Sequence, residues 1–138
     1  MTDKMAILCV DDERIVLNSL ETQLRNHFGD KYLLEFAENA DEGFDVLDDL
    51  FETGATVLVV ISDWLMPGMR GDEFLIKVHK LFPKIINIML TGHADPVAVQ
   101  NAKENADLYE CVCKPWNAQC LIKTITSALE GNGYSCSK

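Results

Sequence analysis

The chain has 138 residues, 48% apolar and 25% charged, the balance of an ordinary globular protein small enough for one domain. Its 22 acidic and 12 basic residues leave a formal charge of −10, which argues against a binder of nucleic acid or anionic membrane, since both contacts need clustered Lys and Arg. The longest apolar stretch, residues 55–61, falls far short of the ~20 that span a bilayer.

The five cysteines are odd in number and lack zinc-binding spacing, so neither a disulfide nor a metal site is expected of them. The reduced cytosol is their natural compartment. Residues 5–10 are too short, and run too directly into acids, to serve as a signal peptide.

In chain order, residues 5–10 form a first apolar run that ends at Asp11-Asp12. Leu17, Leu20, Leu24 and Phe28 then recur at steps of three and four, which predicts an amphipathic helix over 13–28, stopped by Gly29-Asp30. Residues 32–37 are a second strand. Phe44, Leu47, Leu50 and Phe51 mark a second helix that ends at Gly54. A third run, 57–62, leads into Asp63 and an irregular stretch to Gly71.

Phe74, Val78 and Leu81 mark a third helix, closed by Pro83. A fourth run, 86–90, ends at Thr91. Asp95-Pro96 supplies a cap and a first-turn proline for a helix over 97–105. Its Val and Ala stripe is weak, so it should be the least firmly packed element. A fifth run, 108–113, ends at Lys114. A last helix over 117–129 directs Leu121, Ile122, Ile125 and Leu129 inward, and a polar, flexible tail follows over 131–138.

Short continuous apolar runs are those of buried parallel strands. Five strand–helix repeats imply an α/β fold, with a parallel sheet between two layers of helices joined by right-handed crossovers. The C-terminal edge of such a sheet is where its sites lie. Four of the runs would deliver Asp11, Asp12, Asp63, Thr91 and Lys114 to that edge.

Taken singly these residues have ordinary readings. One of the first two acids is a helix cap, Asp63 a turn aspartate, Thr91 a strand-end hydroxyl and Lys114 a solvated lysine. Together they form a different object. Three carboxylates within a few Å repel one another unless a cation compensates them, and oxygen-only ligands suit Mg²⁺. A hydroxyl can donate to a phosphoryl oxygen and an ammonium can neutralise its charge. Gly92 leaves open space beside Thr91.

Val10-Asp11-Asp12, residues 62–71, Leu90-Thr91-Gly92 and Lys114-Pro115 resemble the motifs of receiver domains of two-component response regulators, from about Ala6 to Leu129. The resemblance implies a (βα)5 doubly wound, flavodoxin-like sheet in strand order 2-1-3-4-5. It implies a receiver domain over 1–130 and a tail over 131–138.

On the same resemblance Asp63 is the phosphoacceptor, and Asp11, Asp12, Asp63 and the Leu65 backbone carbonyl bind Mg²⁺. Thr91 and Lys114 bind the phosphoryl oxygens, and Lys114-Pro115 is cis. The chain would accept a phosphoryl group from a sensor histidine kinase or a phosphotransfer protein. It would catalyse its own phosphorylation and dephosphorylation in the cytoplasm without being a turnover enzyme. Its output partner or domain would bind through the fourth helix, fifth strand and fifth helix, and a homodimer on phosphorylation is compatible with this.

The chain departs from the family at one place. The ring that swings inward on activation usually stands three residues before the lysine, where Cys111 lies here, and Tyr109 is two residues earlier. Either Tyr109 replaces that ring or the aromatic half of the switch is missing. Leu65 and His93, two past Asp63 and Thr91, flank the path of hydrolytic water. An apolar Leu65 should prolong the phosphoryl state.

The acidic second helix reads as a solvated face, Trp116 as a hydrophobic plug, and His27 and His79 as helix residues without a phosphotransfer role. No second domain lies within the 138 residues, which leaves a stand-alone receiver and part of a longer protein both open.

Three other readings compete with this one. A pseudo-receiver would dock partners without phosphorylation. An aspartate-nucleophile phosphatase would want a second acid where Leu65 stands, and a dinucleotide-binding domain would want a G-x-G-x-x-G after the first strand.

Overall fold

A computed structural model describes residues 4–92 and 95–130. Five strands, β1 (Met5–Val10), β2 (Leu33–Ala37), β3 (Thr56–Asp63), β4 (Ile86–Thr91) and β5 (Glu110–Cys113), pair in parallel in the order β2-β1-β3-β4-β5. Five helices alternate with them: α1 (Arg14–Phe28), α2 (Ala40–Glu52), α3 (Gly71–Leu81), α4 (Pro96–Asn105) and α5 (Ala118–Leu129). The expected doubly wound, three-layer α/β/α architecture is therefore present, in the expected strand order.

Side chains alternate across the strands and divide the core in two. Leu8, Val10, Val60 and Met89 join Leu47, Phe74 and Ala102 on the α2–α3–α4 side. Ile7, Cys9, Ile61, Ile88 and Leu90 join Leu17, Leu20, Leu121 and Ile125 on the α1–α5 side. The β1–β3 register shifts between Ala6 and Ile7, so consecutive Leu58 and Val59 both face the α1–α5 side.

The helix starts follow their caps. Asn39 accepts from the Glu42 amide at 2.8 Å, so α2 begins four residues before its first large apolar residue, Phe44. Asp95 accepts from the Val97 amide at 3.0 Å, with Pro96 opening α4 as expected, and Asn117 accepts from the Cys120 amide at 3.1 Å. The α5 stripe is as predicted, with Leu121, Ile125 and Leu129 buried and Ile122 packed against the same core. The buried residues of α4 are two alanines, Ala98 and Ala102.

Two marker residues differ from expectation. Leu81 is 65% exposed and Leu75 is buried, because the inward stripe of α3 runs through Phe74, Leu75 and Val78. Phe51 is 71% exposed, at the solvent end of α2. The strand predicted from residue 108 begins at Glu110, since Leu108 and Tyr109 belong to the turn out of α4. Residues 131–138 and His93 lie outside the described residues.

Candidate functional site

Strand register places the predicted residues at one edge. Val10 pairs with Ser62, Asp63 with Leu90, and Thr91 with Cys113. Backbone hydrogen bonds extend the pairing past the strand ends: Asp11 N donates to Ala37 O at 3.0 Å, Trp64 N to Leu90 O at 2.9 Å, and Lys114 N to Thr91 O at 2.8 Å. The edge thus presents Asp11-Asp12, Asp63, Thr91 and Lys114 side by side.

The acids converge. One carboxylate oxygen each from Asp11, Asp12 and Asp63 lies within 4.8 Å of the others. Asp11 is fully buried, Asp63 is 6% exposed and Asp12 is exposed. Asp11 is not the helix cap of the plainer reading, since Glu13 holds that position without a side-chain cap bond. The Asp11 Oδ1 instead accepts from the Glu13 amide at 2.8 Å and orders the turn into α1. Its other oxygen, Oδ2, accepts from Lys114 Nζ at 2.8 Å.

Lys114 bridges the cluster. Its ammonium lies 3.0 Å from Asp63 Oδ1 as well, and 3.8 Å from Glu13 Oε1. The peptide bond to Pro115 is cis, as expected. Burial pushes the Lys114 pKa down, but hydrogen bonds to Asp11 and Asp63 outweigh it and leave the pKa raised. Burial pushes Asp63 up to about 6 against the pull of the Lys114 hydrogen bond, with Asp11 and Asp12 adding to the rise.

One ammonium against three carboxylates leaves a surplus of negative charge in a half-dry pocket. A hard divalent cation with oxygen ligands answers that surplus, so the donor set fits Mg²⁺. Exposed Asp12 leaves one side open to water.

The backbone of Asp63 is held tightly. Ser62 Oγ donates to the Asp63 carbonyl at 2.9 Å, and Gly71 N donates to Trp64 O at 2.6 Å. A Cβ on Gly71 would sit 1.9 Å from Asp63 O, so only glycine allows the loop over residues 64–70 to fold back on the strand end. Glu13 and Gly71 are site residues that sequence reasoning missed. Glu13 was legible as a third acid after Asp11-Asp12; Gly71 closes the 62–71 motif, but its close main-chain contact with Asp63 is not marked by any spacing.

Thr91 is buried at 2% exposure, at the end of β4. Gly92 borders Lys114, whose Cβ would lie 4.0 Å from a Cβ added there. Leu65, two residues past Asp63, is 57% exposed. Cys111 is half-buried against the α4 side of the core, whereas Tyr109 is 44% exposed, its amide donating to Asn87 O at 2.8 Å. Trp116 packs on the α1–α5 core and also donates through Nε1 to Gln23 Oε1 at 2.7 Å.

The sequence model of the response regulator receiver domain family matches residues 7–126. The hydrogenase transcriptional regulatory protein HoxA of Cupriavidus necator is 31% identical over 134 residues, 96% of this chain and 26% of that protein. The chain thus spans about a quarter of that relative's length. Among solved structures, the signal receiver domain of an HD domain-containing protein from Pseudomonas fluorescens Pf-5 is 28% identical, with a TM-score of 0.84 over 97% of this chain and 100% of that one. A CheY-like response regulator receiver domain protein from Methanospirillum hungatei is 29% identical, with a TM-score of 0.82 over 96% of this chain and 98% of that one.

Proposed function

Because the chain belongs to the response regulator receiver domain family, we propose that it is a signalling switch whose state is set by a phosphoryl group on Asp63. The observation that carries this reading is Lys114 Nζ spanning Asp11 and Asp63 at 2.8 and 3.0 Å within the acidic cluster. That is the geometry needed to meet an incoming phosphoryl group with a fixed positive charge. The receiver domain would occupy residues 1–130.

The Asp63 carboxylate attacks the phosphorus of a phosphohistidine on a histidine kinase or phosphotransfer protein. A P–O bond forms as the P–N bond breaks, and the partner's imidazole leaves. Asp11, Asp12, Asp63 and the Leu65 carbonyl would hold Mg²⁺. When bound, the ion offsets charge on the phosphoryl oxygens. Lys114 follows the transferred group, exchanging a carboxylate oxygen for a phosphoryl oxygen.

Thr91 donates its hydroxyl to another phosphoryl oxygen and draws the approach to α4 with it. A helix whose buried residues are two alanines suits a two-state element with a small energy gap. The α4–β5–α5 face would then present its altered shape to an output partner. Water later hydrolyses the acyl phosphate, slowed by the apolar Leu65 side chain. No described helix is long and apolar enough to cross a membrane, which is compatible with action in the cytoplasm.

Incubation with acetyl phosphate and Mg²⁺ followed by intact-mass measurement tests the reading. A gain of one phosphoryl group, absent in Asp63→Asn, is expected. An exposed Tyr109 and a Cys111 where the family carries a ring favour a second reading, a docking module that needs no phosphorylation. An unchanged mass would favour it.

A further inference from the structure

Of the six large apolar side chains exposed among the described residues, Phe51 and Leu81 converge on one place. They line a groove of about 570 Å³ between the C-terminal ends of α2 and α3, with Phe82 and Pro83. The Phe51 and Phe82 rings stand 6.2 Å apart across it. Thr56 and Val57, which open β3, also line it, whereas Asp63 closes that strand. The groove and the acidic cluster therefore lie at opposite edges of the sheet, about 20–25 Å apart at the usual strand rise.

The two flanks carry opposite charge. Asp48 and Glu52, one turn apart on α2, flank Phe51 on one side. Lys77, one turn before Leu81, and Lys84 flank the other. All four are exposed, and none forms an ion pair among the described residues. A uniformly basic or uniformly acidic ligand would meet repulsion from one flank. A two-fold rotation about an axis through the groove exchanges the flanks, so acids face lysines in both halves while the apolar floors meet.

We propose that this groove is the docking surface for a second copy of the chain, forming a two-fold dimer without phosphorylation. The contact is isologous, the arrangement in which one patch must complement itself. It is separate from the α4–β5–α5 face, so a dimer joined here keeps both output faces free.

Sedimentation velocity over a concentration series tests this, using the full chain and Asp63→Asn without any phosphodonor. Both should show the same concentration-dependent dimer. Phe51→Glu should raise its dissociation constant roughly tenfold or more, as for a central apolar anchor. Leu81→Ser should act in the same direction, and both variants should keep the parent circular dichroism spectrum because both side chains are exposed.

Reversing one flank, with Asp48→Lys and Glu52→Lys or with Lys77→Glu and Lys84→Glu, should weaken the dimer. Reversing both together should restore it. A monomer at every concentration, a dimer indifferent to Phe51→Glu, or no recovery in the fourfold variant would each overturn the proposal.

Discussion

Gly71 lies directly against the backbone of Asp63, so close that a methyl group on it would overlap the Asp63 carbonyl oxygen at 1.9 Å. The atom it would strike is main chain, not the movable end of a side chain. Gly71→Ala is therefore expected to push the end of β3 out of register with the acids of β1. The cost should be at least about 2 kcal/mol, as for other overpacked sites. A thermal melt gives the loss, and acetyl phosphate labelling of the folded fraction should fall with it. A variant with parent melting and labelling would show that the loop has room to move.

Mg²⁺ should raise the melting temperature, because the three carboxylates converge only in the folded chain. At a hundredfold excess over its dissociation constant the gain is about 2.7 kcal/mol, or several degrees. Asp12→Asn should shrink the shift without moving the melting point measured in EDTA downward, since it removes one member of a repelling set. Equal melting in Mg²⁺ and EDTA would count against a cation site.

The acidity of Asp63 sets a pH dependence in metal-free protein. Its folded value, about 6, stands above the ordinary 3.8, so the folded chain holds the proton more tightly than the unfolded one. Its favourable contribution is complete below the unfolded value and is lost as pH rises through 6. Between pH 4 and 7 in EDTA the loss should be on the order of 1–2 kcal/mol after solvent screening, and absent in Asp63→Asn. Lys114, also raised, loses its contribution only at alkaline pH. Chemical denaturation at a series of pH values checks both signs.

Asn87 holds one end of α4. Fully buried on β4, it donates through Nδ2 to Ala106 O at 3.0 Å and to Leu75 O at 3.4 Å, joining the end of α4 to α3. Asn87→Ala should leave the Ala106 carbonyl without this donor, at a cost of about 1–3 kcal/mol, whereas Leu75 O keeps its helical partner within α3. Hydrogen exchange should quicken most at the C-terminal turn of α4. In the parent protein α4 should already exchange fastest of the five helices.

Much of the fold and of the site is legible in the sequence. The apolar runs ending in Asp11, Asp63, Thr91 and Lys114 are local signals, and parallel pairing converts them into a shared edge. Helix 5 was readable because its stripe is strong and unbroken. Leu81 and Phe51 misled because a residue at the last turn of a helix fits the period while overhanging the core. Asn39 is a weak cap signal because only Ala40 and polar residues follow it before the first large apolar residue, Phe44. The clamp at Asn87 and the wedge at Gly71 depend on neighbours 12 and more residues away, or on main-chain proximity, and neither leaves a pattern in the adjoining letters.

The slip in pairing between Ala6 and Ile7 lies at the end of β1 remote from the acids. Length changes there meet a ladder that already tolerates an extra residue, and they leave the downstream partners aligned. One residue added to β3 between Val60 and Asp63 would instead turn every later side chain over, sending the acceptor into the helical layer. Evolutionary drift in strand length should accordingly be confined to the floor of the sheet, with its rim unable to change by a single step.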